Sequence, residues 1–372
     1  MQLIDVQKES IIKLLTTLLD QNRARILFPA NQQKLGFWFG GGNIVTDEND
    51  TLWICGRYRD YGDSRTGIDK GTRGWNLVIY RSEDNGISFE KVQNWSKEDL
   101  SYNNRTVISI EGTALHQLKN GQWELFISTE KMGSYPKDLK VFQKSGTGIW
   151  SIDRITGKSP DQLKLDSVSS VLNGMDFPSY LHVKDPVIYE GIKNKTSMLF
   201  ATHPFSWASG NTGFAERTDD KRSFKLKNWE IVNRGPCWDV ASTRITCRMK
   251  IPSFGFFKNT SAYSIYFYDG AECMNLLDEN EFAFKRPRGY SCEELGGAMI
   301  GLDPEFPKIE RISLLKPLFT SPWGTGCSRY VKTLITPSGI HAIWQQSQKD
   351  GSQPLVYHFL PIQQVEHILS SF

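Results

Sequence analysis

The first hydrophobic pattern along the chain has helical spacing. In the segment DVQKESIIKLLTTLLD, residues 5–20, apolar side chains recur every three or four positions behind Glu9 and Ser10. This spacing predicts one amphipathic helix with a single apolar face. Because no second long run of this kind follows, we expect the helix to pack against the outside of a β-rich domain.

After about residue 36 the pattern becomes one of short runs rich in aromatic and β-branched residues, separated by Gly, Asn, Asp and Pro turns. Five comparable units follow one another at a period of roughly 40–80 residues. They begin with the segments GGGNIVTDENDTLWICGRYRD, IEGTALHQLKNGQWELFISTE, VKDPVIYEGIKNKTSMLFATHP, ASTRITCRMKI and CSRYVKTLITPSGIHAIWQQSQ. Each unit starts with a strand, a polar hairpin tip and a second strand, which is typical of one β-propeller blade.

The predicted fold is therefore all-β, a five-bladed β-propeller with a short N-terminal helix. Residues 1–35 would form the helix and a closing segment, and residues 36–372 a single propeller domain. Within the first part, RILFPAN (residues 25–31) is expected to supply the outermost strand that closes the ring. A β-sandwich or two small β domains would show the same short strands and stay as the alternative.

Composition narrows the classes of partner. With 44 basic and 41 acidic residues the net charge is +3, too balanced to favour nucleic acid or an anionic membrane. The apolar runs are too short for a membrane span. The six cysteines are scattered without a CxxC pair, which predicts no metal site and favours buried thiols in a reducing compartment. No signal peptide is visible, so we expect a cytoplasmic protein. We also expect no cofactor. The oligomeric state stays open.

One short turn carries the first family resemblance. Residues 82–89, SEDNGISF, match the pattern Ser-x-Asp-x-Gly-x-Ser/Thr-Trp/Phe. Ser and Asp side chains can satisfy backbone N–H groups in a hairpin turn, and Gly adopts a φ that its neighbours avoid. The segment resembles the Asp-box of sialidases and related propeller proteins, which implies a structural turn on the face away from the chemistry.

Two further segments resemble motifs of the five-bladed invertase- and arabinanase-like hydrolases. VKDPVIY is similar to their Asp-Pro motif and GAEC to their Glu-Cys motif. The resemblance implies that Glu272 is the general acid and Asp185 a partner that stabilises the transition state or tunes a pKa. The first blade departs from the pattern, because it begins with GGGN and lacks the expected Asp. Glu111, Asp60 or Asp63 would then be the nucleophile or base.

Propeller topology groups these residues with others. The innermost strand of each blade begins, and the second strand ends, at the end of the ring that carries the central pocket, which we call the mouth. This rule brings Asp269 and Glu272 to the same end. It also places three arginines there, Arg57, Arg244 and Arg329, and two candidates for substrate binding, His203 and Trp207. Three arginines resemble the clamp by which sialidases hold a carboxylate, which implies an acidic sugar.

These observations together predict an exo-acting glycoside hydrolase that cleaves the non-reducing end of an oligosaccharide or polysaccharide. The three arginines favour an end sugar that is a sialic, ulosonic or uronic acid. Hydrolysis of a glycosidic bond needs two carboxyl groups, as acid and as nucleophile or base. The alternatives are a sugar-binding propeller without activity and an interaction scaffold. The arginines could equally bridge blades through structural ion pairs, and Asp185 could cap a turn.

Overall fold

In a computed structural model of the chain, four four-stranded antiparallel sheets and one five-stranded antiparallel sheet are arranged as the five blades of a β-propeller. The structure describes residues 3–61, 72–140, 142, 147–191, 195–204, 209–218, 223–258, 262–273 and 293–371. The prediction of an all-β five-bladed propeller is confirmed, and the sandwich alternative is wrong. None of the helices in these ranges has the length and apolar character needed to cross a membrane.

Each blade is built from strands that are consecutive in the chain, except the last. Blade one has β2 (Trp38–Gly40) and β3 (Ile44–Thr46) on its inner edge, followed by β4 (Leu52–Asp60), β5 (Thr72–Ser82) and β6 (Glu90–Ser96). Blade two has β7 (Val107–Gln117), β8 (Trp123–Lys131), β9 (Ile149–Gly157) and β10 (Leu163–Asn173). Blade three has β11 (Lys184–Glu190), β12 (Lys195–Thr202), β13 (Asn211–Thr218) and β14 (Lys225–Asn228).

The remaining two blades complete the ring. Blade four has β15 (Ser242–Lys250), β16 (Tyr263–Ala271), β17 (Leu295–Leu302) and β18 (Glu310–Arg311). Blade five has β19 (Ser328–Thr336), β20 (Gly339–Gln346) and β21 (Leu355–Pro361), and its outermost strand is β1 (Arg25–Phe28) from the start of the chain. Ile26 lies opposite Val356 in this antiparallel pair. The two ends of the propeller are thus joined within one sheet.

Two helices cover the apolar side of blades four and five. The predicted helix is α1 (Asp5–Leu18), and its face of Ile11, Leu14, Leu15 and Leu18 is fully buried. It packs with α3 (Ile362–Ser370) in one core cluster that includes Phe267 of β16 and Trp344 of β20. The sequence analysis did not predict α3, because this helix has only nine residues and follows directly on β21. A short third helix, α2 (Lys137–Lys140), lies between β8 and β9.

The turn that resembles an Asp-box joins β5 to β6. The Asp84 carboxylate accepts hydrogen bonds from the Ser82 hydroxyl (2.7 Å) and the Ser88 backbone N–H (2.9 Å), and the Ser82 hydroxyl accepts one from the Gly86 N–H (2.9 Å). Gly86 has a φ of 84°, which explains the glycine. The Phe89 ring packs edge-on against Phe28 of β1, with centroids 5.4 Å apart. The turn therefore fastens blade one to the closing strand.

A buried ion pair fastens blade two to blade three. Glu124 on β8 is fully buried and binds the guanidinium of Arg154 on β9 (Nε to Oε1, 2.5 Å) and that of Arg217 on β13 (Nη1 to Oε1, 2.9 Å). A carboxylate that is removed from water in this way is stable only because two cations face it. Its charge therefore contributes to the contact between the two blades.

The Asp84→Ala substitution is expected to lower the melting temperature at pH 7, because the turn loses its hydrogen-bond acceptor. Hydrogen bonds from Ser88 and Ser82 lower the pKa of Asp84 from 3.8 to about 2. Its contribution is therefore complete above the unfolded pKa and is lost as the pH falls through the folded pKa. The difference between wild type and variant should narrow below pH 3.8 in thermal melts. The exposed Glu48→Ala variant is the control, and a constant gap at every pH would contradict this account.

The Glu124→Gln substitution should reduce the free energy of unfolding by roughly 3–5 kcal/mol, because two buried guanidiniums lose their anionic partner. Urea unfolding at pH 7 measures this. The matched control is Glu216→Gln on β13, where a carboxylate pairs with Lys195 (3.0 Å) and Lys227 (3.4 Å) close to solvent. That variant should lose at most about 1 kcal/mol. Similar losses for the two variants would show that burial of the Glu124 pair is unimportant.

Candidate active site

Every inner strand carries an irregularity near the mouth, and each one inserts one extra residue relative to the neighbouring strand. In blades two, three and five two residues of the inner strand lie opposite one partner residue: these pairs are Glu111–Gly112, Asp185–Pro186 and Tyr330–Val331. Blade four has its extra residue at Thr246, and in blade one the strand is interrupted between Gly40 and Ile44. Such bulges turn side chains away from the alternation of a regular strand. Here they turn polar side chains toward the mouth.

Two of these residues have a backbone conformation that non-glycine residues rarely adopt. Asp185 has a φ of 55° and Tyr330 a φ of 56°. The Asp185 N–H donates to the Ser128 hydroxyl (2.6 Å), and its side-chain Oδ1 accepts from the Gly112 N–H (3.0 Å). A Cβ at Gly112 would lie 2.4 Å from the same Oδ1, so only glycine fits. Asp185 is therefore fixed from two neighbouring strands and does not simply cap a turn.

Glu111 of blade two is held by two arginines of blade one. Its Oε2 lies 3.1 Å from Arg57 Nη2, and its Oε1 lies 3.9 Å from Arg59 Nη1 and accepts a hydrogen bond from Ser109 (3.0 Å). Burial alone would raise the pKa of Glu111, but the two guanidiniums outweigh it and lower this pKa below its ordinary value. Glu111 is therefore an ionised carboxylate at neutral pH.

Arg244 of blade four lies at the centre of the largest group of charges. Its Nη1 is 3.1 Å from Asp185 Oδ2, and its Nη2 is 2.7 Å from Asp269 Oδ2 and 2.8 Å from Glu294 Oε1. One guanidinium thus joins three carboxylates from blades three and four. Arg329 of blade five adds a contact of 2.5 Å from Nη1 to Glu294 Oε2. We call Arg57, Glu111, Asp185, Arg244, Asp269, Glu294 and Arg329 the mouth cluster.

The two carboxylates that share Arg244 Nη2 have different surroundings. Asp269 is completely buried, and this burial raises its pKa against the effect of Arg244, with nearby Glu294 adding to the rise. Burial would also raise the pKa of Glu294, but Arg244 and Arg329 together lower it. Opposite shifts in neighbouring carboxyls are typical of acid–base sites. The arrangement can hold one proton and one negative charge side by side.

The other predicted site residues have various positions. Asp60 is partly exposed at the end of β4 and accepts two hydrogen bonds of 3.1 Å from the Asn31 amide. Glu272 is partly buried and directly follows the last residue of β16, at the end where Asp269 lies. Asp63 and Trp207 lie outside the described residues. None of the contacts described for the mouth cluster involves Asp60.

His203 lies at the mouth end of blade three. Its ring packs against that of His182, with centroids 4.5 Å apart, and both side chains are buried. Burial, together with the charge of Lys184, lowers the pKa of His203 to about 3. The imidazole is therefore neutral at pH 7, and it follows the last residue of β12, at the end of the ring where propeller topology predicts it.

Sequence reasoning missed Glu294 and the arrangement around Asp269. Propeller topology placed Asp269 at the correct end, but it was not chosen as a catalytic candidate. Glu294 directly precedes β17, and the topological rule does not consider the start of a third strand. Each of the three predicted arginines pairs with a carboxylate of an adjacent blade. The ion-pair alternative for these arginines thus describes their observed contacts. Among the described residues, no three His, Cys, Asp or Glu side chains are grouped to hold a metal ion.

Comparison with known proteins yields structural relatives only. No protein-family model matches the chain, and no curated protein matches it. An α-L-arabinofuranosidase from Lactobacillus brevis superimposes with a TM-score of 0.56 at 12% identity, covering 91% of this chain and 93% of the other. A β-1,2-mannobiose phosphorylase from Listeria innocua gives 0.55 at 13% identity, covering 90% and 92%. An endo-arabinase from Bacteroides thetaiotaomicron gives 0.53 at 9% identity, covering 91% and 97%.

At these identities the likeness concerns the fold. It confirms the five-bladed propeller fold, which this chain has in common with an arabinofuranosidase and an endo-arabinase. The sialidase-like part of the resemblance is not confirmed by them. The Asp-box segment does form the expected turn, but a turn of this kind is a local device that fits any blade.

The Arg244→Met substitution should reduce the free energy of unfolding at pH 8 by roughly 3–5 kcal/mol, because three buried carboxylates lose their shared cation. Arg244 lowers the pKa values of Asp269 and Glu294, so these values rise without it, protonation relieves the repulsion and the deficit should shrink at pH 5. Urea unfolding at both pH values measures this.

The matched control for this variant is Arg248→Met on the same strand, which frees the single carboxylate of Asp303, 2.7 Å away. Its deficit should be smaller and less dependent on pH. Equal, pH-independent losses in the two variants would contradict the proposed role of Arg244 as a shared cation.

Proposed function

We propose that the protein is an exo-acting glycoside hydrolase whose active site is the mouth of the propeller. The observation that carries this proposal is the convergence of four carboxylates from three blades, Glu111, Asp185, Asp269 and Glu294, held by arginines at one end of the ring. Cleavage of a glycosidic bond needs a carboxylic acid to protonate the leaving oxygen and a carboxylate on the other side of the sugar ring. A sugar-binding propeller or a scaffold has no need of several buried acids at one point.

The structural relatives support a glycan as substrate. They are named as an arabinofuranosidase, a mannobiose phosphorylase and an endo-arabinase, and each is covered over more than nine-tenths of its length. Fold alone does not determine function, so this support is secondary to the charged groups of the mouth.

Residue roles follow from exposure and from fixed contacts. Glu272 is the proposed general acid, because it lies at the mouth end of blade four and is less enclosed than Asp269. Asp185 is held between Gly112 and Arg244 and is suited to a fixed electrostatic role beside the reacting sugar. Glu111 is ionised and could be the base or nucleophile that blade one lacks.

The arginine contacts bear on whether the sugar is acidic. Arg57, Arg244 and Arg329 each already pair with a carboxylate of the protein. A sialic, ulosonic or uronic acid would have to replace one of these carboxylates, whereas a neutral sugar would leave the pairs intact. We therefore rank neutral glycosides first and keep acidic ones in the test.

A panel of nitrophenyl and methylumbelliferyl glycosides with neutral, uronic and ulosonic sugars, extended with oligosaccharides, tests the proposal. Wild type should hydrolyse at least one of them. Asp185→Asn should lower kcat by roughly a hundredfold or more, and Glu272→Gln should do so on oligosaccharides with a poor leaving group. Steady-state kinetics measure both effects.

The control is Glu190→Gln, at the far end of the same strand as Asp185, where the side chain is exposed. It should leave kcat unchanged. If wild type cleaves nothing in the panel but binds sugars, the protein is a sugar-binding propeller. If Glu272→Gln and Asp185→Asn are as active as wild type, the proposed roles are wrong.

A further inference from the structure

Tyr330 lies where three blades meet at the mouth. Its ring faces three guanidiniums, with ring centroid to Cζ distances of 4.3 Å for Arg244, 5.4 Å for Arg329 and 5.5 Å for Arg57. Cations attract the face of an aromatic ring, so these contacts fix its orientation. Only 5% of the residue is exposed, which makes it part of the floor of the mouth and not of its rim.

The backbone of Tyr330 is held in an unfavourable conformation. Its φ of 56° is one that glycine adopts easily and that is uncommon for a bulky residue. The N–H of Tyr330 donates to both oxygens of Asp269, at 3.1 and 3.2 Å. Asp269 is in turn fixed by Arg244. The mouth cluster thus keeps a large phenol at a position where a glycine would be less strained, and strain of this kind is concentrated at functional sites.

The hydroxyl of Tyr330 differs from those of other buried tyrosines. Tyr268 donates to Asp239 (2.9 Å), Tyr102 to Asp153 (3.1 Å), and Tyr58 and Tyr80 bond to each other (3.2 Å). Within the described ranges, the hydrogen bonds of Tyr330 involve its backbone N–H and none involves its Oη, and this Oη is not one of the buried polar atoms that lack a partner. The Oη is therefore open to the space at the mouth, unlike the paired hydroxyls of the other tyrosines. A ligand at the mouth can bind it in place of water.

The surroundings indicate the chemistry of that ligand. Burial raises the pKa of Tyr330, with Arg244 opposing the rise and Asp185 adding to it, so the phenol stays protonated at neutral pH. It can both donate and accept a hydrogen bond, as a sugar hydroxyl can. The three guanidiniums around the ring are occupied by carboxylates, so they leave little demand for an anion.

We propose that Tyr330 Oη binds a hydroxyl of the sugar ring held at the mouth, and that Tyr330 is a residue that determines sugar specificity. This inference rests on the proposed function only in taking the mouth as the glycan site. Asp269 then acts on the substrate indirectly, by fixing the backbone that presents Tyr330, and is a positioning residue.

The Tyr330→Phe variant tests the proposal, because it removes one oxygen and keeps the ring between the guanidiniums. It should fold and melt like wild type, since the hydroxyl has no partner in the described protein. On the best glycoside of the panel kcat/KM should fall roughly tenfold or more, the usual effect of one lost hydrogen bond to a substrate. A kcat/KM within twofold of wild type would overturn the proposal.

Monodeoxy analogues of that glycoside distinguish a contact from a general disturbance. With wild type, one analogue should show the same fall in kcat/KM that the parent sugar shows with Tyr330→Phe. When this analogue is tested with Tyr330→Phe, kcat/KM should fall little further. Equal further losses with every analogue would overturn the proposal. The matched control is Tyr268→Phe, which removes a buried hydroxyl bonded to Asp239 and should lower stability while leaving kcat/KM unchanged.

A binding measurement separates this inference from the proposed activity. If wild type hydrolyses nothing, titration calorimetry with arabino-, xylo- and manno-oligosaccharides still shows whether the mouth holds a sugar. Binding that weakens roughly tenfold in Tyr330→Phe supports the inference even when the proposed hydrolysis fails. Binding that is unchanged in the variant, or no binding to wild type, overturns it.

Discussion

The guanidinium of Arg244, shared by three carboxylates, is the interaction on which the mouth depends. A propeller brings the inner strands of all blades to one axis, so polar side chains there are removed from water and need partners of opposite charge. Arg244 supplies that partner to Asp185 of blade three and to Asp269 and Glu294 of its own blade. Arg57 and Arg329 likewise each pair with a carboxylate of an adjacent blade. The ion pairs therefore connect adjacent blades and also determine which charges lie at their centre.

The bulges explain how strands of a closed ring can present such groups. A regular inner strand would direct alternate side chains into the spaces between blades, where the aromatic and aliphatic cores lie. One inserted residue in each inner strand changes this direction locally and allows Asp185 and Tyr330 to have positive φ values. The strain is offset by hydrogen bonds that the backbone N–H groups of Asp185 and Tyr330 donate to Ser128 and Asp269. Backbone geometry and charge pairing at the mouth are thus parts of one arrangement.

Much of this could be predicted from the sequence, because blade repeats and helical spacing are local patterns. The five units, the first helix and the position of Asp185 at the start of a strand all follow from neighbours in the chain. Glu294 and the second helix, α3, did not follow from the same reasoning. Glu294 belongs to the mouth cluster because it pairs with Arg244 and Arg329, which lie far from it in sequence. The extra residues in the inner strands likewise depend on register between strands, which the order of residues does not display.

The closing strand has a consequence for how the ring opens. β1 is hydrogen-bonded to blade five, yet Phe28 on it stacks on Tyr80 of blade one at 3.8 Å and packs edge-on against Phe39 at 5.6 Å. Release of this one strand would expose an aromatic cluster in one blade and an unpaired edge in another. Unfolding that starts at β1 therefore disrupts blade one and blade five together. The junction between these two blades should open as a single cooperative unit and not residue by residue.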